Sequence, residues 1–159
     1  MGNILNIGCS SCKYSNEYFL GTGDFFRERN IKSVAIVNKI AGIDISRILI
    51  VNSFVQVFRC FGCNGLFNKM YISYKVKDSL SLQYSILYEC NKCREPLYPL
   101  FSDGILCTHQ LNHQKEKNTD EPELRADYEL YYYEKVLNDI PCYKCGNRKL
   151  HLNAWGEFD

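Results

Sequence analysis

The chain of 159 residues has no uninterrupted apolar run approaching the about 18 residues that read as a membrane-spanning helix, so no membrane partner is expected. Its opening, "MGNILNIGCSSCKYS", lacks the basic start and long apolar stretch of a secretory leader. Gly2 would permit myristoylation, but Asn6 stands where that motif asks for Ser or Thr. One-sided charge is missing too: 19 Lys+Arg against 18 Asp+Glu leave +1. That is not the balance of a protein holding nucleic acid by bulk electrostatics. Also absent are HExxH, GxSxG, the H-x-E with P-C-x-x-C of deaminases, and the GK[ST] of a phosphate loop. "GTGD" at 21–24 has only two glycines and reads as a turn. These absences point to a cytoplasmic protein that is not an enzyme.

What the chain has is cysteine. Eight of its nine cysteines fall in four C-x2-C pairs: Cys9/Cys12, Cys60/Cys63, Cys90/Cys93 and Cys142/Cys145. Where thiols stay reduced, such pairs read as metal binding. A thioredoxin-like centre would need its pair opening a helix in a βαβ setting, and none sits there. A C-x2-C turn presents two sulfurs together, and two turns complete the tetrahedral shell that zinc prefers. Four pairs therefore predict two Zn2+ per chain, with iron the other metal such sites accept. A closed four-sulfur shell leaves the metal no position for water, which again points away from catalysis. With two divalent ions bound to eight thiolates, the formal charge moves from +1 to about −3. The metal-free +1 is itself unevenly spread, with +6 on residues 1–77 and −5 on residues 78–159.

The 26 residues between Cys63 and Cys90 read as a β-hairpin. Met70, Ile72, Tyr74 and Val76 alternate on one strand, Leu80, Leu82, Tyr84, Ile86 and Tyr88 on the other, with Lys77-Asp78-Ser79 as the turn. A hairpin would return Cys90 and Cys93 beside Cys60 and Cys63, leaving Cys9, Cys12, Cys142 and Cys145 to form the other site. Pairing the first turn with the second and the third with the fourth, across gaps of 47 and 48 residues, stays open. The expected fold is α+β, one compact unit over 1–159. An inner zinc ribbon over 54–100 is inserted in an outer ribbon built from 1–24 plus 140–159, with helical segments at 30–53 and 120–140.

In the first helical segment Asn30 can cap, Gly42 can stop, and Ile31, Val34, Val37 and Ile40 recur every three residues. "DISRILIV", from Asp44, reads as a further short helix, although its β-branched residues leave a strand open. In the second segment Asp120 can cap and Pro122 suits the first turn. Ala126, Leu130, Tyr133, Leu137 and Ile140 then make one apolar stripe, opposite an acidic face of Glu123, Asp127, Glu129 and Glu134. Residues 102–119 read as a polar, mobile loop. It holds Cys107, His109 and His113, three candidate ligands for a third metal with only His151 as a distant fourth. A free cysteine and two solvated histidines are the plainer reading.

Residues 69–77 interleave Lys69, Lys75 and Lys77 with Tyr71 and Tyr74, a pattern that can stack single-stranded nucleic acid. The plainer reading is a strand with core aromatics and solubilising lysines. The succession "CSSCKY", "FLGTGDFF", "CFGCNGLFNK", "YECNKCREPL", "PCYKCGNRKL" and "NAWGEFD" resembles an uncharacterised family of small bacterial zinc-ribbon proteins with four CxxC motifs, over nearly the whole chain. The chain departs from that pattern at Lys13, where a glycine is usual, and at Asp24, where an apolar residue is common. The resemblance implies a zinc-ribbon fold and carries no activity. The expected function is a non-enzymatic interaction module with a protein partner, ahead of single-stranded nucleic-acid binding through the basic N-terminal half and thiol redox chemistry.

Overall fold

Strands dominate because β-branched and aromatic residues alternate with polar ones through much of the chain. The computed structural model describes residues 2–21, 26–77, 82–101 and 122–158, and it is α+β, mostly antiparallel. Its elements are β1 (Gly2–Cys9), β2 (Tyr14–Gly21), α1 (Phe26–Ala41), β3 (Ile48–Cys60), β4 (Leu66–Val76), β5 (Gln83–Ser85), β6 (Tyr88–Glu89), β7 (Pro96–Pro99), α2 (Pro122–Asn138) and β8 (Leu150–Phe158). The sheet runs β5-β4-β3-β2-β1-β8, with β7 pairing both β3 and β6. Among the described residues no helix is long and apolar enough to cross a membrane.

One arrangement is built twice. β1 and β2 form a hairpin from Gly2↔Gly21 to Cys9↔Tyr14, and β8 flanks β1 on its other edge, ending at Cys9↔Leu150. β3 and β4 likewise pair from Ile48↔Val76 to Arg59↔Leu66, and β7 flanks β3 with Cys60↔Leu97. In each case a cysteine turn joins two strands, and a third strand follows a second cysteine turn and pairs back onto the first. The two halves join where Gly21 pairs with Val55. There the Asn68 amide accepts from the Phe19 N–H at 2.9 Å and donates to the Phe19 carbonyl at 2.8 Å.

Three apolar clusters hold these pieces. Leu5, Ile7, Tyr18, Leu20 and Leu150 of the outer strands pack with Tyr133, Leu137 and Ile140 from α2 and its exit. Val37 of α1 packs on Ile48, Ile72, Tyr74 and Ile86. Phe58 and Leu97 enclose Cys60 and Cys90. Helix α2 begins at Pro122, as its sequence signals indicate, and the part of its stripe formed by Tyr133, Leu137 and Ile140 is buried.

Three expectations need correction. Helix α1 starts at Phe26, ahead of the expected Asn30 cap, and stops at Gly42, whose φ of +68 suits glycine. Its period-three stripe fails at both ends: Ile31 is 67% exposed and Ile40 46%, while Ser33 and Val37 are buried. A three-residue step falls about 60° short of a full turn at 3.6 residues per turn, so the stripe rolls off the buried face. The second helix expected from Asp44 does not form. Asp44 caps a single 3-10 turn, Ile45–Arg47, by accepting from the Ser46 N–H at 2.8 Å, and Ile48 opens β3. Its β-branched run pairs with β4 at Ile48↔Val76 and Ile50↔Tyr74, a partner invisible to local reading. The hairpin expected between Cys63 and Cys90 is short, Ser73↔Ser85 to Lys75↔Gln83, because β4 takes β3 as its long partner and Leu82 and Leu87 are exposed. The expected loop at 102–119 with Cys107, His109 and His113, and most of "GTGD", lie outside the described residues.

Candidate metal centres

The sulfurs meet in two groups, Cys9, Cys12, Cys142 and Cys145 in one and Cys60, Cys63, Cys90 and Cys93 in the other, each within 4.8 Å of one another. The chain-adjacent pairing is therefore not the one the fold builds. Strand β1 delivers Cys9, and the chain leaving α2 through buried Ile140 delivers Cys142. Across the outer group, Cys9 and Cys145 lie 3.7 Å apart, as do Cys12 and Cys142. Across the inner group the separations are 3.2 Å for Cys60–Cys93 and 3.7 Å for Cys63–Cys90. A tetrahedral shell with metal–sulfur bonds of about 2.3 Å has edges of about 3.8 Å. A disulfide would need about 2.05 Å, and all eight cysteines are free. Each group can hold a metal ion, and four soft sulfurs at these spacings suit zinc or iron.

The four turns share one backbone device. The residue after each second cysteine is left-handed: Lys13 (φ 52), Asn64 (φ 55), Arg94 (φ 65) and Gly146 (φ 75). That bend aims the following N–H back at the sulfur, Tyr14 at Cys12, Gly65 at Cys63, Glu95 at Cys93 and Asn147 at Cys145. Three turns close further through an N–H donated by the first cysteine: Cys60 to the Gly65 carbonyl at 3.0 Å, Cys90 to Glu95 at 2.8 Å and Cys142 to Asn147 at 2.9 Å. N–H groups aimed at sulfur favour the thiolate that a metal requires.

Thiol acidities follow from this crowding. Burial, reinforced by the surrounding sulfurs, pushes Cys12 up to about 12 against the Tyr14 N–H. At Cys93 the Glu95 N–H pulls down, but the neighbouring thiols and burial win and push it up to about 12. Cys90 goes the other way: burial opposes, yet the N–H groups of Cys93 and Lys92 and the adjacent sulfurs bring it down to about 6. The Asn147 N–H likewise lowers Cys145. Without a cation each group thus accommodates some thiolate but resists four negative charges together. A metal must displace the remaining protons.

Around the turns lie side chains that the sequence reading did not single out. A Cβ on Gly62 would stand 2.9 Å from the Glu95 Cγ and 3.1 Å from the Cys93 sulfur, which explains a glycine inside "CFGC". Next to it Phe61 is 61% exposed, its ring centroid 5.4 Å from that of Tyr98, itself 48% exposed. The Arg59 guanidinium sits 4.6 Å from the Phe61 centroid and donates to the Asn64 side chain at 2.9 Å. Its buried Nε has no partner, and burial together with the like charge of Arg148 depresses its pKa. Tyr143, 43% exposed, meets Tyr14 edge-on at 5.1 Å, and Lys92 Nζ lies 5.0 Å from its ring. Lys92 belongs to an inner turn and Tyr143 to an outer one, so the two centres adjoin. Aromatic residues inside two of the CxxC motifs were the available signal.

Of the strand candidates Lys69, Tyr71, Tyr74, Lys75 and Lys77, Tyr74 does not share the face that alternation gives Lys69, Tyr71 and Lys75. Tyr74 is 6% exposed, packed under α1 and stacked on Tyr84 at 5.7 Å. Tyr71 stacks on Phe54 at 4.9 Å, and Lys69 Nζ lies 5.8 Å from the Tyr88 ring. Alternation along β4 sends the two tyrosines to opposite faces. In comparisons with known proteins, no family model, curated protein or solved structure matches the chain.

Proposed function

We propose that this is a non-enzymatic zinc-ribbon protein, with one ribbon nested in the other, that serves as a macromolecular interaction module. The carrying observation is the sulfur spacing of about one tetrahedral edge in both cysteine groups. Backbone N–H groups aimed at sulfur in every turn support the same reading. Cys9, Cys12, Cys142 and Cys145 would hold one ion, and Cys60, Cys63, Cys90 and Cys93 the other. A bound ion supplies a cross-link in a shell already closed by four sulfurs, leaving the protein surface to do the work. Eight paired thiols fit a reducing, cytoplasmic setting. The uneven charge along the chain suits docking to a macromolecule of complementary charge.

Elemental analysis of the purified protein is expected to find two zinc ions per chain, with the eight paired cysteines protected from alkylation until a chelator is added. One ion or none, or native disulfides within the pairs, would overturn the assignment. A red-brown protein carrying two irons would keep the architecture and change the metal.

A further inference from the structure

We propose that the surface where the two cysteine centres adjoin binds single-stranded nucleic acid, with Phe61, Tyr98 and Tyr143 stacking on bases and Arg59, Lys92 and Arg148 meeting phosphates. This rests on the zinc-ribbon reading, which fixes the turns that present these side chains.

The rings come from three different segments: Phe61 and Tyr98 pack together beside the inner centre, and Tyr143 of an outer turn lies against Lys92 of an inner one. Phe61 and Tyr98 lie 5.4 Å apart, Arg59 covers Phe61 at 4.6 Å, and Lys92 covers Tyr143 at 5.0 Å. All three rings are more than 40% exposed, so their faces are open to a stacking partner. Every base has a π-face, so exposed rings flanked by cations are the sequence-tolerant way to hold unpaired strands.

Charge points the same way. The two closing turns and β6 carry Lys92, Arg94, Lys144, Arg148 and Lys149 against Glu89 and Glu95, exposed cations that offset the −2 each zinc-bound four-thiolate centre would carry and stand where phosphates would approach. Arg59 lies close enough to Arg148 for their like charges to act on each other. A phosphate placed between the two guanidinium groups would relieve that repulsion. A duplex would offer no open base faces to the rings, so the fit is to single strands.

The test uses the zinc-loaded full chain and a fluorescent single-stranded oligonucleotide of about 12 nucleotides, within the span of known single-strand sites. Anisotropy should show binding that weakens between about 50 and 200 mM salt. Phe61→Ala and Tyr143→Ala should each weaken it roughly 5- to 150-fold, the range for one stacked base. Arg148→Ala should lower the salt slope by about one. Lys75→Ala, on β4, should change affinity less than about twofold. Zinc content is measured on every sample, and Tyr98→Ala serves if Phe61→Ala loses metal. Two zinc ions with no binding up to about 100 µM, the weak end of non-specific affinity, overturns this inference alone. So does binding that is indifferent to the ring substitutions, equal binding of the matching duplex, or a protein partner whose affinity depends on these rings while oligonucleotides fail. Absence of zinc overturns the underlying reading instead.

Discussion

At the scale of single residues, the left-handed positions after each second cysteine separate backbone strain from steric fit. Three of the four are not glycine, although an L side chain costs about 1–2 kcal/mol in that conformation. Lys13 carries a long side chain, and it adopts the glycine-like φ of 52 all the same. Gly146, by contrast, has nothing within 4 Å of the point where a Cβ would stand, so a side chain there would meet strain without any clash. Gly146→Ala should therefore cost about 1 kcal/mol, and Lys13→Gly should gain a similar amount. Thermal melts of the zinc-loaded variants check both signs, and two shifts in the same direction would refute the account. The eight ligands were legible because C-x2-C is a local pattern that carries its own geometry. Arg59, Phe61 and Tyr98 were not, because their relation depends on the register of β3 and β7, which pairs Arg59 with Tyr98.

At the scale of elements, legibility followed how far each element depends on distant partners. Helix α2 could be read because its first-turn proline and 3.6-residue stripe lie within one segment. Strand β3 could be read only in its second half. Its first half has a sequence that suits a short helix, and its pairing with residues on β4 decides the matter. The face assignment on β4 was legible in principle, since residues 71 and 74 have opposite parity, yet the lysines drew attention to the strand as a whole. Helix α1 gives the clearest energetic test. Val37 is buried beneath it, while Ile31 and Ile40 face outward. Val37→Ala should cost about 2 kcal/mol through the cavity it leaves. Ile31→Lys should stay within about 0.5 kcal/mol, as for other surface changes. Urea titration of each variant checks the contrast, which would reverse if the period-three stripe were the buried one.

At the scale of the whole molecule, the outer centre ties segments far apart in the chain, and the inner centre closes a much shorter stretch. Cys9 and Cys145 are separated by 136 positions, Cys60 and Cys93 by 33. Cys142→Ser should leave one zinc per chain and make residues 2–21 and 142–158 accessible to protease while the inner centre survives. Cys90→Ser should release the inner ion and leave the β1–β2–β8 strands clamped. Native mass spectrometry with limited proteolysis reads both outcomes, and loss of both ions in either variant would show that the centres do not fold independently. Which turns share a centre was legible from the strand pattern between Cys63 and Cys90, whereas the spacing of the four pairs alone left the chain-adjacent pairing open. The repetition of one strand plan was not legible, because it appears only when β7 and β8 are seen pairing back onto β3 and β1. That return pairing also sets a schedule during synthesis. A ribosome adding about 5–20 residues per second separates Cys60 from Cys93 by roughly 2–7 s, but Cys9 from Cys145 by roughly 7–27 s. The first thiols made are thus the last to find their partners, and for that interval they stay available to a metal only in surroundings that keep cysteine reduced.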